Sequence, residues 1–411
     1  MKQPSCRFCD TPLARSFADL GMSPLSNSYL GPEQLRQMEP YYPLHALVCE
    51  SCLLVQLEAY GSPEQIFSDY AYFSSYSDTW LNHCEEYAAL AARRFSLSPK
   101  GQVIEIASND GYLLRSFRQA GIPVLGIEPA RNVAEVAEKA GIPTRVDFFG
   151  TALAEQLVSE GFSADLLVGN NVLAHVPGLN DFVRGLKILL KPRGVITMEF
   201  PHLLRLIEGK QFDTIYHEHF SYFSFLTVEK IFAAHGLALF DVERLSTHGG
   251  SIRIFARHKE DRSKPVMNAV EELRICERLA GLDNIETYST FGERVKQAKR
   301  ELLLFLIELK RTGSTIAGYG APAKGNTLLN YCGIGRDFLE YTVDRNPHKQ
   351  DRYLPGTHIP IFAANRIQET KPDYVLILPW NLAEEIIGQL SFIREWGGRF
   401  ILPIPTAEVR T

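Results

Sequence analysis

The chain has 411 residues, 22% charged and 45% hydrophobic, with a formal net charge of −5. That length exceeds one ordinary core and implies two or three domains, and the balance is that of a folded globular chain rather than a disordered one. The acidic excess offers nothing to neutralise a nucleic-acid backbone, no apolar run reaches bilayer length, and the start Met1–Asp10 lacks the apolar core of a signal peptide. The expectation is therefore a cytoplasmic protein without nucleic-acid or membrane partners, as monomer or homodimer.

At the start, Cys6-Arg7-Phe8-Cys9 and Cys49-Glu50-Ser51-Cys52 form two C-x-x-C knuckles. Each such turn presents two thiolates to one side of an ion, and two turns close a tetrahedral four-sulfur shell. In a reducing compartment this spacing predicts structural zinc on Cys6, Cys9, Cys49 and Cys52 rather than disulfides. A closed shell leaves no open position for chemistry, so the zinc is expected to hold together a small, strand-rich lobe over residues 1–70. An aromatic segment, Tyr70 to Tyr76, follows it.

From Gln102 the pattern becomes short apolar strands alternating with helical stretches, predicting an α/β domain over residues 71–260 with a doubly wound, mostly parallel sheet. The expected strands are Val103–Ala107, Val124–Pro129, Asp165–Asn171 and Gly194–Phe200, with a helix starting near Tyr112. In such sheets a ligand sits beyond the carboxyl ends of the strands at the switch point. Those ends supply the candidate cofactor residues Glu105, Ala107, Asn109, Asp110, Gly111, Glu128, Pro129, Asn170 and Asn171. Glu128 is placed to accept hydrogen bonds from ribose hydroxyls, which suits a dinucleotide as well as S-adenosylmethionine. The first turn discriminates between them. It lacks G-x-G-x-x-G, and the Asp110 carboxylate would repel a pyrophosphate while welcoming the ammonium and sulfonium of S-adenosylmethionine.

The densest run of titratable groups is Tyr216-His217-Glu218-His219-Phe220-Ser221-Tyr222-Phe223. Two histidines two residues apart cannot share a helix face, so this is not a zincin site. One reading is a half-buried aromatic segment with satisfied histidines. The other is acid-base chemistry: methylating carbon requires a base to form an enolate and a hydroxyl to stabilise the enolate oxygen. His175, just past a strand end, is a second candidate acid-base group or an ordinary loop histidine.

The last segment, residues 261–411, begins with a helix predicted as one unit over Asn284–Arg311. Tyr288, Phe291, Val295, Ala298, Leu302, Phe305 and Leu309 recur at spacings of three and four along it. A second strand–turn–helix follows, in which Gly318, Tyr319, Gly320, Ala321, Lys324 and Asn326 could cradle phosphate oxygens. With the strand ending at Asp344, this reads as a smaller Rossmann-like unit for a diphosphate-bearing substrate, or as a purely structural glycine turn.

Taken together, the paired cysteines, E-I-A-S-N-D-G, N-N-V-L-A-H-V-P, Y-H-E-H-F-S-Y-F-S and G-Y-G-A-P-A-K-G-N-T resemble the bacterial nucleotide-sugar C-methyltransferases that make branched deoxysugars. The resemblance spans nearly the whole chain. It implies an N-terminal zinc lobe, a class I methyltransferase domain using S-adenosylmethionine, and a C-terminal domain holding a thymidine-diphosphate 4-keto sugar, methylated beside the ketone, usually at C-3. Matched to the family, the catalytic positions are Tyr76, His175, Tyr216, Glu218 and His219, with His219 as base and Tyr216 its partner or rival; Tyr222 is expected against the substrate. The competing readings are an O- or N-methyltransferase, and an NAD-dependent nucleotide-sugar oxidoreductase or binding protein using Gly318 and Gly320.

Overall fold

A computed structural model describes residues 3–61 and 78–411. They pack as two compact units, neither continuous in sequence. The first comprises Met1–Leu13, Cys49–Leu204 and Phe220–Asn284; the second comprises Ala14–Val48, Arg205–His219 and Ile285–Thr411. The three successive segments expected from the sequence are thus redistributed. The cysteine knuckles belong to the first unit, while Ala14–Val48 between them belong to the second. No helix among the described residues is long and apolar enough to cross a membrane.

In chain order the strands are β1 (Arg15–Ser23), β2 (Tyr42–Val48), β3 (Val55–Leu57), β4 (Val103–Ile106), β5 (Val124–Ile127), β6 (Thr144–Arg145), β7 (Ala164–Asn170), β8 (Leu190–Pro201) and β9 (Ser221–Tyr222). There follow β10 (Leu237–Leu245), β11 (Ser251–His258), β12 (Ile316–Tyr319), β13 (Thr342–Val343), β14 (Ile361–Phe362), β15 (Tyr374–Ile377), β16 (Arg399–Leu402) and β17 (Glu408–Arg410).

The main sheet of the first unit has the order β10-β11-β8-β7-β4-β5-β6. β8, β7, β4, β5 and β6 run parallel, and β11 is antiparallel to both β8 and β10. Strands β4 and β5 are buried at every position, as expected where helices cover both faces of a parallel sheet. From the central β4 the chain winds outward to β5 and β6, then returns to β7 and β8 on the other side. The carboxyl ends of β4 and β7 therefore form the switch point. Beneath it, Tyr87 and Phe117 pack with Val103, Leu166 and Val195 in one buried cluster, each large side chain contributing ~1.5–3 kcal/mol. The expected helix near Tyr112 begins at Leu114, because the intervening residues complete the turn.

The second unit carries the order β14-β13-β12-β15-β16-β17, parallel except for β17. It repeats the doubly wound plan, with its switch point between β12 and β15. The helix predicted over Asn284–Arg311 is divided into Ile285–Ser289 and Phe291–Arg311. The division lets both flanking aromatics meet β1: Phe17 stacks on Phe291 at 4.5 Å between ring centroids and tilts against Tyr288 at 6.2 Å. Farther along, Leu302 and Leu306 are buried, and Phe305 and Leu309 are only half-buried.

Candidate functional site

The four knuckle cysteines converge, with their Sγ atoms all within 4.8 Å of one another. Cys6–Cys52 and Cys9–Cys49 are each 3.5 Å apart, close to the ~3.8 Å edge of a tetrahedron with Zn–S bonds of about 2.3 Å. Each knuckle ends on a left-handed residue, Asp10 (φ 59°) and Leu53 (φ 67°), which turns the chain back around the ion. The donor set and spacing fit a closed structural zinc site. The first knuckle is also tied to the segment that follows β7. Arg7 Nη1 donates to the Pro177 carbonyl at 3.0 Å and Nη2 donates to the Leu57 carbonyl. Asn180 Nδ2 donates to the Phe8 carbonyl at 2.9 Å. The loop that leaves the His175 turn is thereby pinned to the zinc knuckle.

At the switch point of the first unit, Ala107 (φ 55°), Asn109 (φ 50°), Gly111 (φ 76°) and Asn171 (φ 54°) all lie in the left-handed region. Three of these are not glycine, and strain of this kind collects where a backbone is held for a ligand. At position 111 a Cβ would approach Ile142 Cγ1 to 2.9 Å, so glycine is required there. The Ser108 hydroxyl and both polar atoms of the Asn170 amide are buried without a hydrogen-bond partner, and Glu105 is fully buried beside them. Burial holds the Glu105 carboxyl well above the usual carboxylate range, with Tyr112 acting the other way. Orphaned polar atoms cost about 1–3 kcal/mol each. Their concentration here fits a polar, cationic ligand such as S-adenosylmethionine. Glu128 accepts from the backbone N–H groups of Asn109 and Ala130, each at 2.9 Å. Burial pushes its pKa up to about 7, against the pull of those two donors. Its oxygens are fixed at the end of β5, directly before Pro129, where ribose hydroxyls would add donors.

Beside this cradle stands a buried ionic cluster that the strand pattern did not single out. Glu199 on β8 pairs with Arg253 at 2.6 Å and His83 at 2.9 Å and accepts from Thr247 Oγ1 at 2.8 Å. Burial alone would raise its pKa, yet His83 and Arg253 hold it down at about 2. An acid inside the apolar run Gly194–Phe200 is the available signal.

The Tyr216–His219 segment closes on itself within the second unit. Tyr216 Oη and His219 Nε2 are 2.8 Å apart, with ring centroids at 4.0 Å. His219 Nδ1 lies 2.9 Å from the Thr214 carbonyl. A carbonyl only accepts, so Nδ1 carries the proton, Nε2 is the basic nitrogen, and the tyrosine hydroxyl donates to it. Glu218 Oε1 accepts from Asn27 Nδ2 at 2.6 Å, and Asn27 in turn accepts from Tyr29 Oη at 3.2 Å. Asn27 is a partner that sequence distance concealed. By contrast, His217 Nε2 bonds the Pro43 carbonyl at 3.2 Å and its ring meets Tyr42 edge-on at 5.9 Å. Burial lowers its pKa, so it packs as a neutral ring. His175 ends a short turn, Leu173–His175, immediately beyond β7, and Tyr222 sits on β9; both are in the first unit. Tyr76 lies outside the described residues.

The second glycine turn differs from its expectation as an open phosphate cradle. Gly318 is needed because a Cβ there would lie 2.7 Å from Thr342 Oγ1, and Gly320 (φ 86°) because one would lie 2.6 Å from Pro379. The Ala321 N–H donates to Asp344 at 2.8 Å, and the Ala321 carbonyl accepts from Tyr29 Oη at 2.6 Å and Lys349 at 2.9 Å. Tyr319 Oη donates to Gln389 at 3.2 Å, Asn326 Nδ2 to the Ser26 carbonyl at 3.3 Å, and Lys324 to Asn381 at 2.7 Å. The groups expected to meet a diphosphate are engaged by their own unit.

Family models match a zinc binding domain at residues 6–67, a methyltransferase domain at 80–242 and a C-methyltransferase C-terminal domain at 246–405. The C-methyltransferase NovU of Streptomyces niveus is 37% identical over 98% of this chain and 96% of its own length. A ubiquinone biosynthesis O-methyltransferase of Bordetella avium is 27% identical over 23% of this chain and 39% of its own. Among solved structures, magnesium protoporphyrin IX methyltransferase from Synechocystis aligns over 43% of this chain and 78% of its own, at 16% identity and a TM-score of 0.34.

Proposed function

Because this chain belongs to the S-adenosylmethionine-dependent C-methyltransferases, we propose that its acceptor is the carbon beside the ketone of a thymidine-diphosphate 4-keto-6-deoxy sugar, with C-3 as the methylated position. When bound, S-adenosylmethionine supplies an electrophilic methyl group on a sulfonium. The remaining work falls to the chain's own residues. A carbon next to a ketone becomes nucleophilic only when its proton leaves and the electron pair spreads onto the carbonyl oxygen. His219 Nε2 takes that proton, and the Tyr216 hydroxyl, freed from Nε2, donates to the enolate oxygen. In the rival assignment Tyr216 takes the proton and passes its own to His219. Glu218, fixed by Asn27, orients the sugar hydroxyls, and His175 and Tyr76 complete the set of acid-base candidates.

The observation that carries this reading is the 2.8 Å Tyr216–His219 pair with its tautomer set by the Thr214 carbonyl. A hydroxyl acceptor would need one base and no enolate stabiliser. The test is incubation with S-adenosylmethionine and a panel of thymidine-diphosphate 4-keto-6-deoxy sugars in deuterated water, followed by NMR and mass spectrometry. Methyl on carbon, with solvent deuterium exchanged at that carbon in slow variants, is the expected result. Methyl on oxygen, or transfer without proton exchange, would overturn it.

A further inference from the structure

The turn that fixes His219 has its own anchor. Asp213, in the short turn Phe212–Thr214, is fully buried and accepts from Trp380 Nε1 at 2.6 Å. Trp380 leaves the carboxyl end of β15, and its ring face carries the Lys324 ammonium 4.8 Å from the centroid. Lys324 lies in the first turn of helix Ala323–Cys332, which follows β12. These groups meet at the carboxyl ends of β12 and β15, the switch point where a doubly wound sheet ordinarily receives its ligand. A helix start, a lysine and an indole N–H together make an anion site. In this chain the anion is already present as a side chain.

We infer that Asp213 is a built-in anion filling the ligand position of the second sheet, and that Trp380, by holding it, and Lys324, by its place on the Trp380 ring, are positioning residues for His219. The link is short. Thr214 follows Asp213 directly in the same short turn, and its carbonyl, in the next peptide unit, accepts the His219 Nδ1 proton at 2.9 Å. Moving that carbonyl releases the ring to its other tautomer, which would turn a proton-bearing nitrogen toward Tyr216. Burial pushes the Asp213 pKa up to about 6, while the Lys324 charge and the Trp380 N–H favour the ionised form. The lysine is thereby assigned a charge-balancing role inside the fold instead of a phosphate contact, and the C-terminal sheet becomes the mount of the catalytic turn. The inference rests on the reading of His219 as the base.

The test compares Trp380→Phe, Lys324→Met, Asp213→Asn and His219→Gln in the full chain. Imidazole ¹⁵N NMR, with His219 assigned by its loss in His219→Gln, reports the tautomer without any substrate. In Trp380→Phe and Lys324→Met we expect the single Nδ1–H form to become a mixture. kcat should fall about tenfold, as when a group orienting a functional histidine is removed, with KM and thymidine-diphosphate affinity unchanged within about twofold. Asp213→Asn keeps an acceptor for the indole and should lose less than Asp213→Ala. An unaltered His219 spectrum in Trp380→Phe would overturn the inference. So would a normal tautomer in Lys324→Met with thymidine-diphosphate binding weakened tenfold or more. If His219→Gln still exchanges the sugar proton, the base assignment fails, and the tautomer measurement still decides the anchoring.

Discussion

The molecule contains two strand–turn–helix switch points of the same design, one left open and one closed. In the first, the turn after β4 holds Ala107 and Asn109 in the left-handed region, the end of β7 adds Asn171, and the Ser108 hydroxyl and the Asn170 amide are buried without hydrogen-bond partners. In the second, the turn after β12 spends its groups on its own unit: Ala321 on Asp344, Tyr29 and Lys349, and Lys324 on Asn381. Unsatisfied buried groups cost stability and are retained where a ligand repays them. The two turns share a backbone plan and differ in polar satisfaction, the difference expected between a ligand site and a structural mount.

The largest effect that tests this division is at the base. His219→Ala should lower kcat by about a thousandfold, within the range for a general base, while S-adenosylmethionine affinity by calorimetry stays unchanged, since that site belongs to the open turn of the other unit. A variant with parental turnover would remove His219 from the reaction.

Glu105→Gln sharpens the contrast within the open turn. Replacing a fully buried carboxyl, disfavoured there by desolvation, should raise the melting temperature of the ligand-free protein and weaken the methyl donor roughly tenfold, the stability-for-function exchange expected of such sites. Lower stability together with unchanged affinity would show that the carboxyl serves the fold.

Asp344→Ala is the counterpart in the closed turn. It strips the acceptor from the buried Ala321 N–H and should cost about 1–3 kcal/mol in denaturant unfolding, with donor affinity intact.

The smallest effect is a proton count. Glu128 has its pKa raised to about 7 by burial, so the ligand-free protein is more stable with that group protonated. Its contribution is full below the unfolded carboxylate range and is lost as pH rises through about 7. Ribose hydroxyls donating to Glu128 would favour the ionised form. Donor binding at pH 7 should then release up to about half a proton, measurable by calorimetry in buffers of different ionisation enthalpy; proton uptake would contradict the role.

Several parts of this arrangement could be read from sequence because they depend on neighbours along the chain. A C-x-x-C knuckle sets two sulfurs by local turn geometry, and Val124–Ile127 and Tyr374–Ile377 announce buried strands through apolar character without a charged residue. Gly111 and Gly320 mark turns where a Cβ has no room. Tertiary structure decided the rest. The chain passes between units at Leu13, Val48, Leu204, His219 and Asn284, and no local pattern encodes which sheet a segment joins. The partners Asn27–Glu218, Trp380–Asp213 and Arg7–Pro177 are 191, 167 and 170 residues apart. The two glycine turns look alike in sequence because both must bend sharply after a buried strand. Whether such a turn faces a ligand or its own chain depends on which distant carboxylate, lysine or indole folds against it.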